Sequence, residues 1–180
     1  VPMTAQTAEP AAGQAGQAAR QPAAQLFDNY YFAHGCGQPY ARDAGWQAHF
    51  GRIADGIMAE LQPRSALDVG SGAGKLCVVA ALSGSTRWLG LEHRPHLVKS
   101  ANELARRFSV GERVDFRVGE LGAMPLPVVD AYYFFNPFGE NLFGYVDCID
   151  TDVWLGRRRY ELDVAHAEAL LRAAPVGTAV

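Results

Sequence analysis

No apolar run in this 180-residue chain is long enough to cross a bilayer, and no basic-then-apolar leader opens it. Both absences argue against a secreted or membrane-spanning chain. Cysteine is scarce. Cys36, Cys77 and Cys148 are odd in number and widely spaced, so they form neither a disulfide framework nor a zinc pattern, and a reducing cytoplasm suits them. His93 and His96 stand three residues apart, but no Cys or carboxylate cluster in the sequence completes a metal site around them. Capping or solvated roles are the plainer reading. Charge of one sign is also missing: the formal net charge is −3, which implies no broad surface for polyanions, though local basic patches are compatible with it. Methionine is absent from the first position, where Val1 marks a non-standard start or a processed chain. What is present is apolar residue, 49% of the chain against 19% charged, enough for one globular domain with a real core.

Residues 1–25 are rich in Ala, Gln, Gly and Pro, with no large hydrophobe past Met3 before Leu26. Such a segment buries too little apolar surface to offset its ordering entropy, so it is expected to be a disordered tail, with a frayed Ala-rich helix as the alternative. Residues 26–62 form a leader: an aromatic-dense stretch from Leu26 to Phe32, a turn-rich loop from His34 to Tyr40, then Trp46, Phe50, Ile53, Ile57 and Leu61 at helical spacing. Pro63 closes that helix. From 63 to 180 strands and helices alternate. Strands are expected at 65–69, 88–91, 114–118 and 128–135, helices at 74–82, across Leu97 to Phe108 and at 160–173, and Val176–Val180 begins a fifth strand. This alternation predicts an α/β fold with a doubly wound, mostly parallel sheet whose ligands sit at the carboxyl ends of its strands.

The most informative stretch is Leu67-Asp68-Val69-Gly70-Ser71-Gly72-Ala73-Gly74-Lys75, a buried strand running into a glycine-rich turn that opens an apolar helix. Glycine at every second position lets backbone approach a small ligand closely. Glu92 ends the next apolar run, placed to accept the two hydroxyls of a ribose. Spacing then eliminates two nucleotide classes. A dinucleotide fingerprint needs glycine where Lys75 stands; a P-loop needs glycine at Val69 and Ser or Thr at Leu76. The remaining pattern, acid-x-Gly-x-Gly-x-Gly, resembles motif I of the class I S-adenosylmethionine-dependent methyltransferases. The stretch from Tyr31 to Leu61 also resembles the leader of a group of bacterial members.

That resemblance implies a set of roles. S-adenosylmethionine is the expected cofactor and S-adenosylhomocysteine the product. Gly70, Ser71, Gly72 and Gly74 would form a backbone nest beside its methionine and ribose portions, with Asp68 orienting the loop or meeting the cofactor's ammonium through water. Tyr40 and Arg42 would lie near the cofactor, Arg42 reaching its carboxylate; the alternative is that Tyr40 packs and Arg42 is solvated. Glu120 would meet the adenine amino group and Leu121 would pack on the ring, unless Glu120 is a solvated loop residue. Asn136-Pro137-Phe138 is similar to the Asn-Pro-Pro-Tyr or Phe element of amino-methylating enzymes, where Asn and a backbone carbonyl hold the target nitrogen and the ring stacks on a planar substrate. One proline is missing here, so base flipping is not implied. Asn136 is alternatively a helix cap.

The expected activity is methyl transfer to nitrogen, worked by positioning and without a metal. The acceptor is a small-molecule or protein amine in preference to nucleic acid. Glu140 and Asp147 are carboxylates in range of this region, but nothing ties either to a substrate, and Arg157-Arg158-Arg159 is either an anion contact or a solvated face. The family usually ends its sheet with a hairpin of strands 6 and 7. Here either the chain is a fragment, or the edge after strand 5 is bare, or a partner or second copy completes it. A non-catalytic cofactor-binding scaffold and a nicotinamide-dependent oxidoreductase are the rival readings, the latter disfavoured by the glycine spacing.

Overall fold

A computed structural model describes residues 44–143 and 148–180, with side chains in the first helix from residue 48 onward. The readings of the 1–25 tail and of Tyr40, Arg42 and Asp147 lie outside the described residues.

Helix α1 runs Ala44–Glu60 and packs Phe50, Ile53 and Ile57 against the core, with Ala54 fully buried. It ends where the sequence stops permitting helix: Gln62 adopts a positive φ of 45° and Pro63 follows. Leu61, expected in the apolar stripe, falls just past the helix and is 48% exposed. The elements that follow are β1 (Ser65–Val69), α2 (Lys75–Ser83), β2 (Arg87–Glu92), α3 (Pro95–Arg107), β3 (Val114–Val118), β4 (Ala131–Phe134), a short 3-10 turn (Gly139–Leu142) and α4 (Arg157–Ala173).

The four strands form one all-parallel sheet in the order β3-β2-β1-β4. Side chains alternate across it as a period of two demands. Ala66, Trp88 and Phe116 face α1, α2 and α3, whereas Leu67, Val69, Leu89 and Leu91 face α4 and the Leu121–Leu126 loop. Both faces are covered, so the central strands are largely apolar and buried, with Asp68 and Glu92 as buried carboxylates, and α2 is buried on most sides. Full burial of a residue such as Leu67 or Val78 stabilises the fold by about 1.5–3 kcal/mol each.

The fourth strand is shorter than the 128–135 run predicts. Pro125 and Pro127 precede it, and the Asp130 carboxylate accepts the Arg64 and Ser65 amides, so ladder pairing begins only at Ala131. Val128 is left 73% exposed. At the C-terminal end a single parallel bridge joins Ala179 to Ala131, outside β4.

The chain winds from β1 outward to β3 and then crosses to place β4 on the other side of β1. That reversal opens a crevice at the carboxyl ends of β1 and β4, the point where doubly wound sheets bind ligands. Two glycines are required by packing, and Gly74 by its dihedral as well. Gly74 has φ +74°, and a Cβ there would run into the Phe116 ring; at Gly90 a Cβ would stand 2.5 Å from the same ring. Gly74→Ala is therefore expected to cost about 2–3 kcal/mol in urea unfolding, part of which Phe116→Leu should restore.

Candidate functional site

A cavity of about 260 Å³ lies at the carboxyl edge of the sheet and draws on all four strand ends. Gly70 and Gly72 come from the turn after β1, Glu92 and the following His93 and Arg94 from β2, Gly119 to Leu121 from β3, and Phe135 to Phe138 from β4. Arg159 and Asp163 of α4 close one side.

The turn's hydrogen bonding departs from the nest expected of it. Gly70 and Ser71 both donate to the Leu91 carbonyl, at 2.9 and 3.1 Å, and Gly74 donates to the Ser71 carbonyl at 2.9 Å. The Gly72 amide donates to Glu92 Oε2 at 3.0 Å. Three of these amides hold the turn to β2 and the fourth, that of Gly74, closes the turn on itself, so none of the four is left for a ligand. At Gly72, φ is +54° and a Cβ would meet nothing within 4 Å, so the space above that residue is open to the cavity. At Gly70 a Cβ would come within 2.7 Å of the Pro137 Cβ. The glycine turn and the Asn136-Pro137-Phe138 element therefore touch directly.

Glu92 is buried at the end of β2, and burial pushes its pKa up against the pull of nearby amides and the Arg94 charge. Its Oε1 accepts the Arg94 amide at 2.9 Å and its Oε2 accepts Gly72. A carboxylate offers about four acceptor directions, so capacity for a vicinal diol remains on both oxygens. Beside it, burial together with the Arg94 and Arg159 cations drives the His93 pKa down to about 4. His93 Nε2 lies 2.7 Å from Arg94 Nη1. A guanidinium only donates, so Nε2 accepts and the ring is neutral with its proton on Nδ1.

Glu120 lines the cavity but is half-exposed, and one of its oxygens is held by Arg159 Nη1 at 2.7 Å. Arg159 is buried, its Nε bound to Asp163 at 2.9 Å, so it does not belong to a solvated face, unlike the exposed Arg157 and Arg158. Glu140 is likewise engaged, by Arg94 Nη2 at 2.9 Å and by the Ile149 amide at 2.6 Å.

Asn136 has a positive φ of 47° and is exposed, with its side chain lying against Gly139. The 3-10 turn that follows is capped at Phe138, not at Asn136. Of the residues expected from sequence, Gly70, Gly72, Glu92, Glu120, Leu121, Asn136, Pro137 and Phe138 share the cavity. Asp68, Ser71 and Gly74 do not line it. Ser71 Oγ points back at the sheet, buried and without a hydrogen-bond partner, and Gly74 sits under the turn against Phe116. Lys75 turns away from any phosphate-like position, its ammonium 5.9 Å from the Phe50 ring centre.

Sequence reasoning did not find Arg94 or Asp163, and it met Arg159 only within the Arg157-Arg158-Arg159 run, as an anion contact or a solvated face. The one signal available for Arg159 and Asp163 was their i,i+4 spacing on a helix. His96, read from sequence as a capping or solvated residue, approaches Asp150 and Asp152, with ligand atoms within 4.8 Å of one another. Arg94 Nε already occupies Asp150 Oδ2 at 2.9 Å, which disfavours a cation there.

Residues 63–138, the span that carries β1 to the Asn-Pro-Phe element, match the model of a methyltransferase domain family. The glycine turn inside that span resembles motif I of the class I S-adenosylmethionine-dependent methyltransferase superfamily. S-adenosylmethionine is that superfamily's cofactor, and the open space over Gly72 beside the Glu92 carboxylate fits its ribose. No curated protein is a detectable match. Among solved structures the chain is similar to an RNA methyltransferase from Salinibacter ruber in complex with S-adenosyl-L-homocysteine (27% identity, 45% of this chain and 55% of that one, TM-score 0.42). It is also similar to YjhP from E. coli (21%, 60% and 42%, TM-score 0.44). A third is the C-terminal domain of precorrin-6Y C5,15-methyltransferase from Rhodobacter capsulatus (19%, 71% and 58%, TM-score 0.48). The chain spans about half the length of these structures.

Asp68 has a consequence for stability. Burial raises its pKa from 3.8 to about 7, with the Glu92 charge adding and the Cys77 Sγ hydrogen bond at 3.5 Å opposing. Between pH 3.8 and about 7 the folded chain holds a proton there that the unfolded chain has released. Stability from this group is therefore lost as pH rises through that window. Asp68→Asn should be more stable relative to wild type at pH 8 than at pH 4, by on the order of 3 kcal/mol, in denaturant titrations at the two pH values.

Proposed function

We propose that the chain is an S-adenosylmethionine-dependent methyltransferase acting on a nitrogen of a small-molecule or protein amine. The observation that carries this reading is the contact of Pro137 with Gly70, which sets Asn136 beside the cofactor turn in one cavity with Glu92.

In this reading Glu92 accepts the ribose hydroxyls, and Gly72 leaves room for the sugar. Leu121 packs on the adenine. Glu120 accepts from the adenine amino group with its second oxygen while Arg159 fixes its first. When bound, S-adenosylmethionine supplies a methyl group on a sulfonium, and its transfer leaves S-adenosylhomocysteine. Asn136 and the neighbouring carbonyls accept hydrogen bonds from the target N–H groups, which aims the nitrogen lone pair along the line of displacement. Phe138 and the exposed Phe135 wall the acceptor and exclude water. The proton released from nitrogen passes to solvent, Glu140 being bound to Arg94 and Glu120 to Arg159. Holding two reactants in line in this way accounts for several kcal/mol of barrier reduction without a metal.

Calorimetry and native mass spectrometry test the reading. The purified protein should carry or bind S-adenosylhomocysteine. Glu92→Gln should weaken binding at least tenfold, as loss of a charge-assisted hydrogen bond worth about 1.5–3 kcal/mol predicts. Gly72→Val should abolish binding while circular dichroism stays unchanged. Asn136→Ala should leave cofactor affinity within about threefold and remove turnover on an amine panel. Binding without turnover on any amine would favour a cofactor-binding scaffold instead.

A further inference from the structure

Arg94 is 2% exposed, yet each of its guanidinium nitrogens has a partner on a different part of the site. Nη1 meets His93 Nε2 at 2.7 Å, Nη2 donates to Glu140 Oε1 at 2.9 Å, and Nε donates to Asp150 Oδ2 at 2.9 Å. Its own amide donates to Glu92 Oε1. One residue thus joins the ribose-facing end of β2, the 3-10 turn that follows the Asn-Pro-Phe element, and the 148–152 segment. Glu140 then passes the tie onward by accepting the Ile149 amide. A planar guanidinium with five donors in a fixed fork can hold three partners at set angles, which an ammonium on a flexible stem cannot.

We propose that Arg94 is a positioning residue that assembles the cofactor end and the acceptor end of the cavity as one unit, holding Glu92 charged and in register with the turn that bears Glu140. The proposal rests on the reading that Glu92 grips the cofactor ribose. The charge arithmetic supports it. Glu140 and Asp150, with side chains 15% and 1% exposed, pair with the Arg94 guanidinium, and Glu92, 6% exposed, accepts the same residue's amide. The groups facing Glu92 are the Gly72 amide from the β1 turn, Asp68 from β1 itself, and His93 and Arg94 from its own segment. His93 is neutral and Asp68 adds only negative charge when ionised, so among these Arg94 alone favours the ionised form through its charge. Glu140 and Asp150 act on Glu92 through Arg94.

The test is calorimetry of S-adenosylhomocysteine from pH 6 to 8.5 on wild type, Arg94→Met, Arg94→Lys and Arg94→Met/Glu140→Gln. The double variant neutralises a carboxylate stranded by loss of the guanidinium and carries the test if Arg94→Met fails to fold. Both Met variants are expected to bind at least tenfold more weakly at pH 7, with the acid limb of the affinity profile moved to higher pH and affinity recovering as pH rises. Arg94→Lys should return that limb to its wild-type place while regaining only part of the affinity, because charge is restored and the fork is not. Asp68 is common to all four proteins. Met variants that match wild type, or that lose affinity equally at every pH, would overturn the proposal. Wild type that fails to bind would overturn the ribose reading beneath it, an outcome visible before any variant is compared.

Discussion

Everything at the carboxyl edge of this sheet depends on one buried carboxylate. Glu92 takes the Gly72 amide on one oxygen and the Arg94 amide on the other, so the glycine turn after β1 and the loop after β2 are pinned to the same side chain. The register of the sheet makes this reachable: Val69 pairs with Leu91, so both strands end at one level and Glu92 arrives opposite the turn. Desolvating a carboxylate costs several kcal/mol unless hydrogen bonds and a counter-charge offset it. The amides of Gly72 and Arg94 and the guanidinium beyond supply both.

The two faces of the sheet contribute differently. The α1–α3 face is the larger apolar cluster, and it reaches under the glycine turn through Phe116, which fills the volume that Gly74 and Gly90 leave empty. The α4 face is apolar near Leu170 and Leu171, then turns polar where it nears the cavity. There Arg159 binds Asp163, and Asp163 accepts Asn141 Nδ2 at 3.2 Å. The site therefore stands on dense packing below and is closed by charged groups at one side. Removing one member of such a buried ionic set costs more than the set contributes as a whole.

Much of this was legible before any coordinates. The strands expected at 65–69 and 114–118 and the helix expected up to Phe108 correspond to β1, β3 and α3, because burial of a strand or of one helix face leaves a local trace in sequence. The Gly-x-Gly-x-Gly turn and Glu92 were readable for the same reason: their requirements are set by backbone geometry within a few residues. Arg94 was not readable, since its partners Glu140 and Asp150 are 46 and 56 residues away and nothing local marks an arginine as buried. The nest expected at the turn was also misjudged. Whether an amide faces a ligand or a neighbouring strand depends on how close β2 lies, and the Leu91 carbonyl proves to be within reach of two of them. The start of β4 was set by a third distant effect, the Asp130 carboxylate reaching the amides of Arg64 and Ser65.

A strand, a glycine turn and a helix also make the phosphate cradle of many nucleotide enzymes, where unspent amides present positive poles to an anion. In this chain the amides of Gly70, Ser71, Gly72 and Gly74 are all satisfied within the protein, and the Glu92 carboxylate stands beside the turn. Those four donors are not left for the phosphates of a nucleotide, so the direction in which a few peptide bonds point bears on which adenosine compound such a turn can hold.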